Sequence, residues 1–599
     1  MRIEEDIVLF FYEGNGSLNG DLVRPKKNIM ELKIKHRAFL PADFKVEDWA
    51  GLKPYFEGLL VAEISSEVDL AKWFRDMSEL EAVVSEDLAW RYIKMTCDTI
   101  DEALSEAYEF FVREIQPHIA PFSDQLNKKA LASPYLVMLK NKEGFDIMIR
   151  EMEKDVKIYR VENIALETEI ASKAQKFGAI SGAMDIQHDG KEMTLQQAAV
   201  MLQSPDRKLR AEVYHKISDR RLVDKEKLNA LFNELIKIRT ETAQNAGFEN
   251  FRDYMFTAMG RFDYAPDDCF DFHESVKTEV VPLLNSIAID RKEKLGLEAL
   301  KPWDKAVDIS GKAALRPFSD ARDLTKRTVS CFKRLDPFLG ECLEKMEEMG
   351  HLDLDSRKGK SPGGYNYPLS ETGVPFIFMN ATSTLSDMVT LLHEGGHAVH
   401  SFLMNDLELT DFKNTPSEVA ELASMSMELI TMDHWDVFFD NEEDLKRAKR
   451  EHLEQIIETL PWVATIDKFQ HWLYENPNHT VEERTDEWNI IFDDFSDKIT
   501  DWSDLEDKKD SLWQKQLHLF EVPFYYIEYG MAQLGAIAVW RNFKEDNEKG
   551  LASYLLALQL GYTKSIPEIY EAANIKFDFS KENISTLMNF VKEQLNKLD

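Results

Sequence analysis

Apolar residues recur at intervals of three and four through most of this chain, and that spacing restricts it to helical folds. Between Val68 and Glu114, for example, Leu70, Trp73 and Met77 follow this interval with acidic residues between them. Such spacing is typical of amphipathic helices that bury one face. The same pattern occurs in residues 205–260, 264–300, 319–350 and 437–475. The sequence therefore predicts a mainly α fold.

Strand signals are confined to residues 355–382. There an apolar run from Val374 to Met379 lies between Gly373 and Asn380, which is typical of a short strand. Another helical pattern follows it directly, so we expect a small β element next to that helix. Long flexible linkers are not expected, because the 599 residues include only 25 glycines and 20 prolines.

The charge balance argues against two classes of partner. With 73 basic and 108 acidic residues, the chain carries a formal charge of −35, which repels nucleic acids and anionic membrane surfaces. No run of about 18 apolar residues occurs, so no membrane span is expected. We predict partners that are neither nucleic acid nor membrane, and the sequence leaves the oligomeric state open.

The four cysteines are far apart in the sequence and form no C-x-x-C pair, so no zinc site built from cysteines is expected. Scattered cysteines fit a reducing compartment. The N-terminus has acidic residues where a signal peptide has lysines. These features together predict a cytoplasmic protein.

The stretch TLLHEGGHAVHSF carries the clearest chemical signal. His393, Glu394 and His397 form H-E-x-x-H, a pattern typical of zinc peptidases. Residues four apart share one helix face, so both imidazoles can bind one ion while Glu394 reaches water next to it. A capping box at Thr384 and Asp387 starts the predicted helix. His400 is on the same face, and we expect it to be a buried, hydrogen-bonded histidine.

A third ligand is expected from the next helix, which begins near NTPSEVAELASMSMELI. Thr415 and Glu418 form a second capping box there, which would occupy Glu418 at the helix end. Glu421 lies one turn further along the same face, so we favour it over Glu418 as the ligand. Glu428 lies two turns beyond Glu421, where it can accept a hydrogen bond from a ligand imidazole or lie in solvent.

The sequence HEGGHAVHSF, followed by SEVAELASMSME, resembles the thimet oligopeptidase-like zinc metallopeptidases, and within them the oligoendopeptidase F branch. GVPFIFMNATSTLSD, HLFEVPFYYIEYG and GYTKSIPEIYEAANI are also similar to segments of that family. The resemblance implies a helical body in two halves around a deep substrate channel. It implies one Zn²⁺ ion on His393, His397 and Glu421, with Glu394 as general base.

The resemblance also divides the chain. It implies a helical N-terminal domain at 36–200 and a catalytic metallopeptidase domain at 201–599. Mixed charge with Gly, Asn and Pro in residues 1–35 predicts an irregular N-terminal arm. The sequence leaves open whether Met1 or Met30 is the true start.

Hydrolysis of a peptide needs donors for the negative charge that develops on the carbonyl oxygen. His518, Tyr529 and Tyr526 are predicted to supply them, and Tyr525 to bind substrate. On a helix, Tyr525 and Tyr526 would lie on the same side as Tyr529.

The strand before the zinc helix is predicted to bind substrate as well. An extended peptide can pair with a strand edge through backbone hydrogen bonds, which assigns Phe376, Ile377 and Phe378 to substrate binding.

The function predicted from these features is a zinc-dependent endopeptidase. It would hydrolyse internal bonds of oligopeptides through attack of a zinc-bound water activated by Glu394. A zinc carboxypeptidase of similar helical fold and a non-catalytic peptide-binding scaffold are the alternatives.

Two glycines inside the zinc helix need a separate explanation, because each costs about 1 kcal/mol relative to alanine. Our hypothesis is that Gly396 lets another backbone approach closely. The sequence offers no reason for Gly395.

Overall fold

Helices form most of the described chain, as the apolar spacing predicts. The structure is a computed structural model that describes residues 37–361 and 363–599, so the predicted arm at 1–35 lies outside the described residues. The N-terminal helices are α1 (Trp49–Val61), α2 (Glu67–Cys97), α3 (Glu102–Phe110), α4 (Gln116–Leu131), α5 (Leu136–Leu139), α6 (Phe145–Ile158) and α7 (Asn163–Gly182).

A β-hairpin follows these helices and was not predicted. Its strands are β1 (Asp185–His188) and β2 (Lys191–Thr194). Asp189 and Gly190 join them with φ angles of 50° and 75°, the left-handed backbone that tight two-residue hairpin turns need.

The next helices lead to a small sheet and the H-E-x-x-H helix. They are α8 (Leu195–Val200), α9 (Arg207–Val223), α10 (Lys225–Asn245), α11 (Phe251–Ala258), α12 (Pro266–Glu279), α13 (Val281–Lys294), α14 (Ala321–Leu335) and α15 (Pro337–Glu348). The strands β3 (Leu352–Asp355), β4 (Tyr365–Tyr367) and β5 (Phe376–Ala381) come next.

The last part of the chain is again helical. Its helices are α16 (Leu385–Leu403), α17 (Ser417–Ile430), α18 (Glu442–Glu475), α19 (Val481–Phe495), α20 (Glu506–Lys509), α21 (Leu517–Glu521), α22 (Ile527–Glu545), α23 (Asn547–Gln559), α24 (Ile566–Ala572) and α25 (Lys581–Asn596). The helix α16 carries H-E-x-x-H, and α17 carries the predicted third ligand.

The buried apolar side chains form two main cores. The smaller core joins residues from Leu40 to Met152 and takes Leu409 and Phe412 from the loop after α16. The larger core starts at Phe177 in α7 and runs to Leu595. The N-terminal helices therefore pack mainly on one another, and the domain division at residue 200 stays a prediction.

The three-stranded sheet has the order β3-β5-β4, with β3 parallel and β4 antiparallel to β5. Its central strand leads directly into α16, so the predicted β element lies beside the predicted zinc helix. The mainly helical fold class with this small β element is confirmed. Among the described residues, no helix is long and apolar enough to cross a membrane.

Candidate active site

The helix α16 begins as predicted. The Thr384 side chain accepts a hydrogen bond from the Asp387 backbone N–H at 3.1 Å, and Asp387 accepts one from the Thr384 N–H at 2.9 Å. This reciprocal cap satisfies two backbone donors at the helix start. The apolar face is buried, and the three motif residues lie near the middle of the helix.

Both glycines of the motif lie where α16 meets other elements at close range. A Cβ atom at Gly396 would lie 2.7 Å from Ser424 Cα and 2.8 Å from Ala423 O, which are backbone atoms of α17. A Cβ atom at Gly395 would lie 2.7 Å from the Phe332 ring of α14. The hypothesis for Gly396 therefore agrees with the packing, whereas Gly395 makes room for an aromatic side chain on another side of the helix.

Replacing Gly396 with Leu is expected to destabilise the fold by about 3 kcal/mol, the upper end of the usual cost of overpacking, because backbone atoms cannot move aside as side chains can. Gly58 in α1 has no heavy atom within 4 Å of its Cβ position, so Gly58→Leu is the matched control and should unfold near the wild-type temperature. Thermal unfolding followed by circular dichroism measures both. Equal melting temperatures for the two variants would contradict the close-approach explanation.

The start of α17 differs from the prediction, and the Glu418 side chain has a different partner from the one expected. The N-cap is Pro416 and has no side-chain cap, so the predicted capping box at Thr415 and Glu418 is wrong. The Glu418 carboxylate instead accepts a hydrogen bond from the Tyr264 hydroxyl at 2.6 Å and is buried. One turn later, Glu421 lies against the two histidines of α16.

His393, His397 and Glu421 form a group of potential metal donors. One atom from each lies within 4.8 Å of the others. Oε2 of Glu421 is 3.3 Å from Nε2 of His393 and 3.7 Å from Nε2 of His397. Two imidazoles and one carboxylate are the donors of catalytic zinc sites that leave the fourth position to water. The residues therefore fit a zinc ion.

Hydrogen bonds hold the donor group in place. Nδ1 of His393 lies 2.6 Å from Oε1 of Glu428, so the imidazole donates there and its Nε2 is free for a metal. The Ser424 hydroxyl donates to Glu421 Oε2 at 3.1 Å. The sequence analysis did not predict this contact, although Ser424 follows Glu421 by three residues and so lies on the same helix face. Burial acts to raise the pKa of Glu421, but the His393 hydrogen bond and the nearby imidazoles lower it to about 2.

The Glu428→Gln variant is expected to bind the metal 10- to 100-fold more weakly, because a carboxylate that orients a ligand imidazole typically contributes about that much. The fold should persist, since Gln keeps the size of the side chain. Titration of the apoprotein against a zinc chelator of known affinity measures the change. An unchanged affinity would place Glu428 outside the metal centre.

Glu394 lies beside the donor group in a cavity of about 360 Å³. The side chains of His393, His397 and Glu421 line the same cavity. Burial raises the pKa of the Glu394 carboxyl to about 7. A carboxyl with a pKa near 7 can both accept and release a proton at neutral pH, as a general base and acid must.

His400 also lines this cavity and is buried, as expected. The expected hydrogen bond is not found at its Nε2, which has no partner among residues 37–361 and 363–599. Burial lowers the pKa of His400 to about 3, so its ring is neutral.

The segment that carries Tyr525, Tyr526 and Tyr529, called the tyrosine segment below, reaches the cavity. Its helix starts later than predicted. Because α22 begins at Ile527, Tyr525 and Tyr526 lie in the turn before it rather than on the helix with Tyr529. Tyr525 and Tyr529 line the cavity, whereas Tyr526 does not. The Tyr525 hydroxyl donates to Glu421 Oε1 at 3.2 Å, so this residue lies at the donor group itself.

His518 packs behind the tyrosines, with ring centroids 4.7 Å from Tyr526 and 5.7 Å from Tyr529. Trp462 Nε1 donates to Gln516 Oε1 at 3.0 Å, which fixes the amide so that its Nε2 donates to His518 Nδ1 at 2.7 Å. Burial lowers the pKa of His518 to about 4. The ring is therefore neutral, with its remaining proton on Nε2.

The prediction that Phe376, Ile377 and Phe378 offer a free strand edge is wrong. These residues lie on β5, which has a partner strand on each side, and all three are buried. In the described sheet, the outer strand on the cavity side is β4, and Tyr365 and Asn366 from β4 line the cavity. Asn366 Nδ2 also donates to the Glu394 carbonyl at 3.2 Å.

Comparison with known proteins places this site in a family. A match to the family described as Peptidase family M3 covers residues 200–589. The chain belongs to peptidase family M3. A second match, to the Peptidase M3 N-terminal domain, covers residues 39–159. The resemblance predicted from HEGGHAVHSF and the segment after it is confirmed.

Individual M3 relatives support the oligoendopeptidase F branch. The chain is 22% identical over 342 residues to Oligopeptidase PepF of Bacillus subtilis (strain 168), an alignment that covers 56% of this chain and 49% of that protein. The chain thus spans about half the length of this curated relative.

Solved structures are similar over nearly their whole length. The structure of PZ peptidase A with inhibitor 2 is 27% identical, with a TM-score of 0.87, and the match covers 93% of this chain and 99% of that one. A structure assigned as an oligoendopeptidase F from Bacillus anthracis str. Ames is 25% identical, with a TM-score of 0.83 and coverage of 94% and 99%. The fold of the chain is therefore that of M3 oligopeptidases.

Proposed function

We propose that this chain is a zinc-dependent endopeptidase that hydrolyses internal bonds of short peptides. The observation that carries the proposal is the convergence of His393, His397 and Glu421 in one cavity with the buried Glu394. Family membership supports peptide hydrolysis, and the donor set supports zinc as the metal.

Zinc held by His393, His397 and Glu421 would supply Lewis-acid chemistry, acidifying water and polarising a peptide carbonyl. The Glu394 carboxylate takes the proton of the attacking water. It then gives that proton to the nitrogen of the leaving amine, which a carboxyl with a pKa near 7 can do. Glu428 holds His393 in the tautomer that leaves Nε2 for the metal.

The hydroxyl groups of the tyrosine segment stabilise the negative charge on the carbonyl oxygen. Tyr529 is the first choice, because it lines the cavity and, among the described residues, shows no hydrogen bond to a carboxylate like that of Tyr525 to Glu421. His518 does not line the cavity, so we assign it the supporting role of packing against Tyr526 and Tyr529 rather than that of a direct donor. Tyr526 becomes a weaker choice than its sequence position indicated, because it does not line the cavity.

The Tyr529→Phe variant is expected to lower kcat by about 10²–10³-fold, the usual effect of losing one oxyanion donor. The matched change Tyr526→Phe should leave kcat near the wild-type value. Steady-state kinetics on one peptide compares them, and KM should change little in either. A larger loss in Tyr526→Phe than in Tyr529→Phe would reverse the assignment.

The substrate path runs from the donor group toward the N-terminal helices. Pro368 lines the active-site cavity, a second cavity of about 360 Å³ and a third of about 510 Å³ whose walls include Phe56 and Leu80. We infer that an extended peptide lies along these cavities and pairs with the outer edge of β4. Because the pairing uses the backbone of the peptide, peptides with many different side chains can bind in this way.

The deciding experiment uses an internally quenched peptide of about ten residues with both ends blocked, together with a count of bound zinc. A zinc endopeptidase binds about one catalytic zinc and cleaves this peptide internally, and chelation abolishes the cleavage. If the chain trims only peptides with a free C-terminus, the carboxypeptidase alternative is correct. If zinc is bound and no peptide is cut, the chain is a binding scaffold.

A further inference from the structure

A second group of chemically active side chains lies in the larger core, on α12 and α18. Cys269 and His273 are four residues apart on α12, and Asp467 and His471 are four apart on α18. Each helix therefore presents its pair on one face. All four side chains are buried, with Cys269 and Asp467 at 0% exposure.

The donor atoms of this group lie close together, as those of the candidate active site do. One atom from each of Cys269, Asp467 and His471 lies within 4.8 Å of the other two. His273 Nε2 lies 2.8 Å from Asp467 Oδ2, and His471 Nε2 lies 3.3 Å from the same oxygen. The three potential ligands thus need only small side-chain movements to meet at one point.

Several polar atoms of the group have no hydrogen-bond partner in the described part of the chain. They are Oδ1 of Asp467, Nδ1 of His471 and Nδ1 of His273, whereas Nε2 of His471 has only its 3.3 Å contact with Asp467 Oδ2. Buried polar atoms are nearly always paired, and an unpaired one costs about 1–3 kcal/mol. Three such atoms in one place indicate a partner that the protein side chains do not supply.

The surroundings make a polar protein partner hard to find. The His471 ring lies 4.8 Å from the Phe270 ring and 5.5 Å from the Phe524 ring, measured between centroids. Two cationic side chains near the group have carboxylate partners elsewhere. Arg261, which acts on the Cys269 thiol, donates to Glu528 Oε1 at 2.9 Å, and Lys468 donates to Asp494 at 3.3 Å. A carboxylate in such an apolar environment needs a nearby cation.

We propose that this group binds a second zinc ion, with Cys269 Sγ, an Asp467 carboxylate oxygen and a His471 ring nitrogen as ligands. His273 orients the Asp467 carboxylate through its Nε2–H. Sulfur, nitrogen and oxygen donors at about 2.0–2.3 Å are the usual zinc ligands. The Cys269 thiol loses its proton to solvent on binding, so that one thiolate and one carboxylate balance the two positive charges.

This second ion is structural. None of its ligands lines the active-site cavity, so substrate does not reach it. It joins α12 to α18 directly behind Phe524, the residue before Tyr525 of the tyrosine segment. Phe524 is also fixed there by its N–H, which donates to Gln470 Oε1 at 2.6 Å. The ion therefore supports the segment that completes the active site.

The test counts metal in a full-length variant whose catalytic ligands are removed, His393→Ala/His397→Ala. After loading with zinc and dialysis, we expect two zinc ions per wild-type chain and one per double-variant chain. Adding Cys269→Ala to the double variant should remove the remaining ion. Adding Cys331→Ala, a change at another fully buried free thiol, is the matched control and should retain it.

Loading the double variant with Co²⁺ gives an independent readout that does not depend on the Cys269 variant folding. A cobalt–thiolate bond at Cys269 should produce charge-transfer absorption in the near ultraviolet. A double variant without bound metal and without this absorption overturns the proposal. Failure of the catalytic zinc site would give a different result. The wild type would then bind one zinc ion, the His393→Ala/His397→Ala change would not remove it, and Cys269→Ala would.

Discussion

The Glu394→Gln variant is expected to lose about 10²–10⁴-fold in kcat/KM, the usual contribution of a general base. An amide of the same size cannot accept the proton of the attacking water. Bound zinc should not change, because Glu394 is outside the group of three metal donors. Cleavage of the end-blocked peptide and metal analysis of the same preparation measure both quantities.

The metal content is the internal control of that experiment. A Glu394→Gln protein that binds zinc normally and keeps a tenth or more of the wild-type kcat/KM would rule out Glu394 as the base. The buried His400, which lines the same cavity with an unpaired Nε2 among the described residues, would then be the next residue to test.

The Glu421→Gln variant should bind zinc at least about 100-fold more weakly, since loss of a direct ligand exceeds the 10- to 100-fold effect of an outer contact. The amide is a poor zinc ligand and carries no charge. Competition with a chelator of known affinity gives the zinc dissociation constant. Activity at limiting zinc should fall with it.

Glu418→Gln is the matched control, because Glu418 lies one turn before Glu421 on α17. Its amide oxygen can still accept the hydrogen bond from Tyr264, so the fold and the zinc affinity should stay near wild type. A large loss of affinity in Glu418→Gln with none in Glu421→Gln would mean that the ligand has been assigned to the wrong turn.

The helical part of the site could be predicted from the sequence because helix geometry is local. Residues four apart share a face whatever the rest of the fold does, so H-E-x-x-H placed two imidazoles together. The sequence analysis also preferred Glu421 to Glu418, although the expected capping box is absent. Helix phase alone did not separate the two, because both lie on the same face; the Tyr264 hydrogen bond occupies Glu418 in place of the expected capping box.

Predictions about strands were weaker because strand pairing is not local. The apolar run at Val374–Met379 does contain most of β5, but the partners on either side of it come from Leu352–Asp355 and Tyr365–Tyr367. Neither of these was recognised as a strand, so β5 was taken for an edge. The hairpin at 185–194 was missed although its Asp-Gly turn was a usable signal.

The glycines of α16 could be explained only in part. A helical glycine indicates a close neighbour, but the sequence does not show which element approaches. The structure places Phe332 against Gly395 and α17 against Gly396.

That double contact has a mechanical consequence. A helix with close contacts on two sides cannot rotate or slide without a clash, so packing fixes the relative positions of His393, Glu394 and His397. The N-terminal helices have their own core and meet the rest of the chain partly through Leu409 and Phe412. A movement of those helices would therefore leave the distances between the three motif residues unchanged.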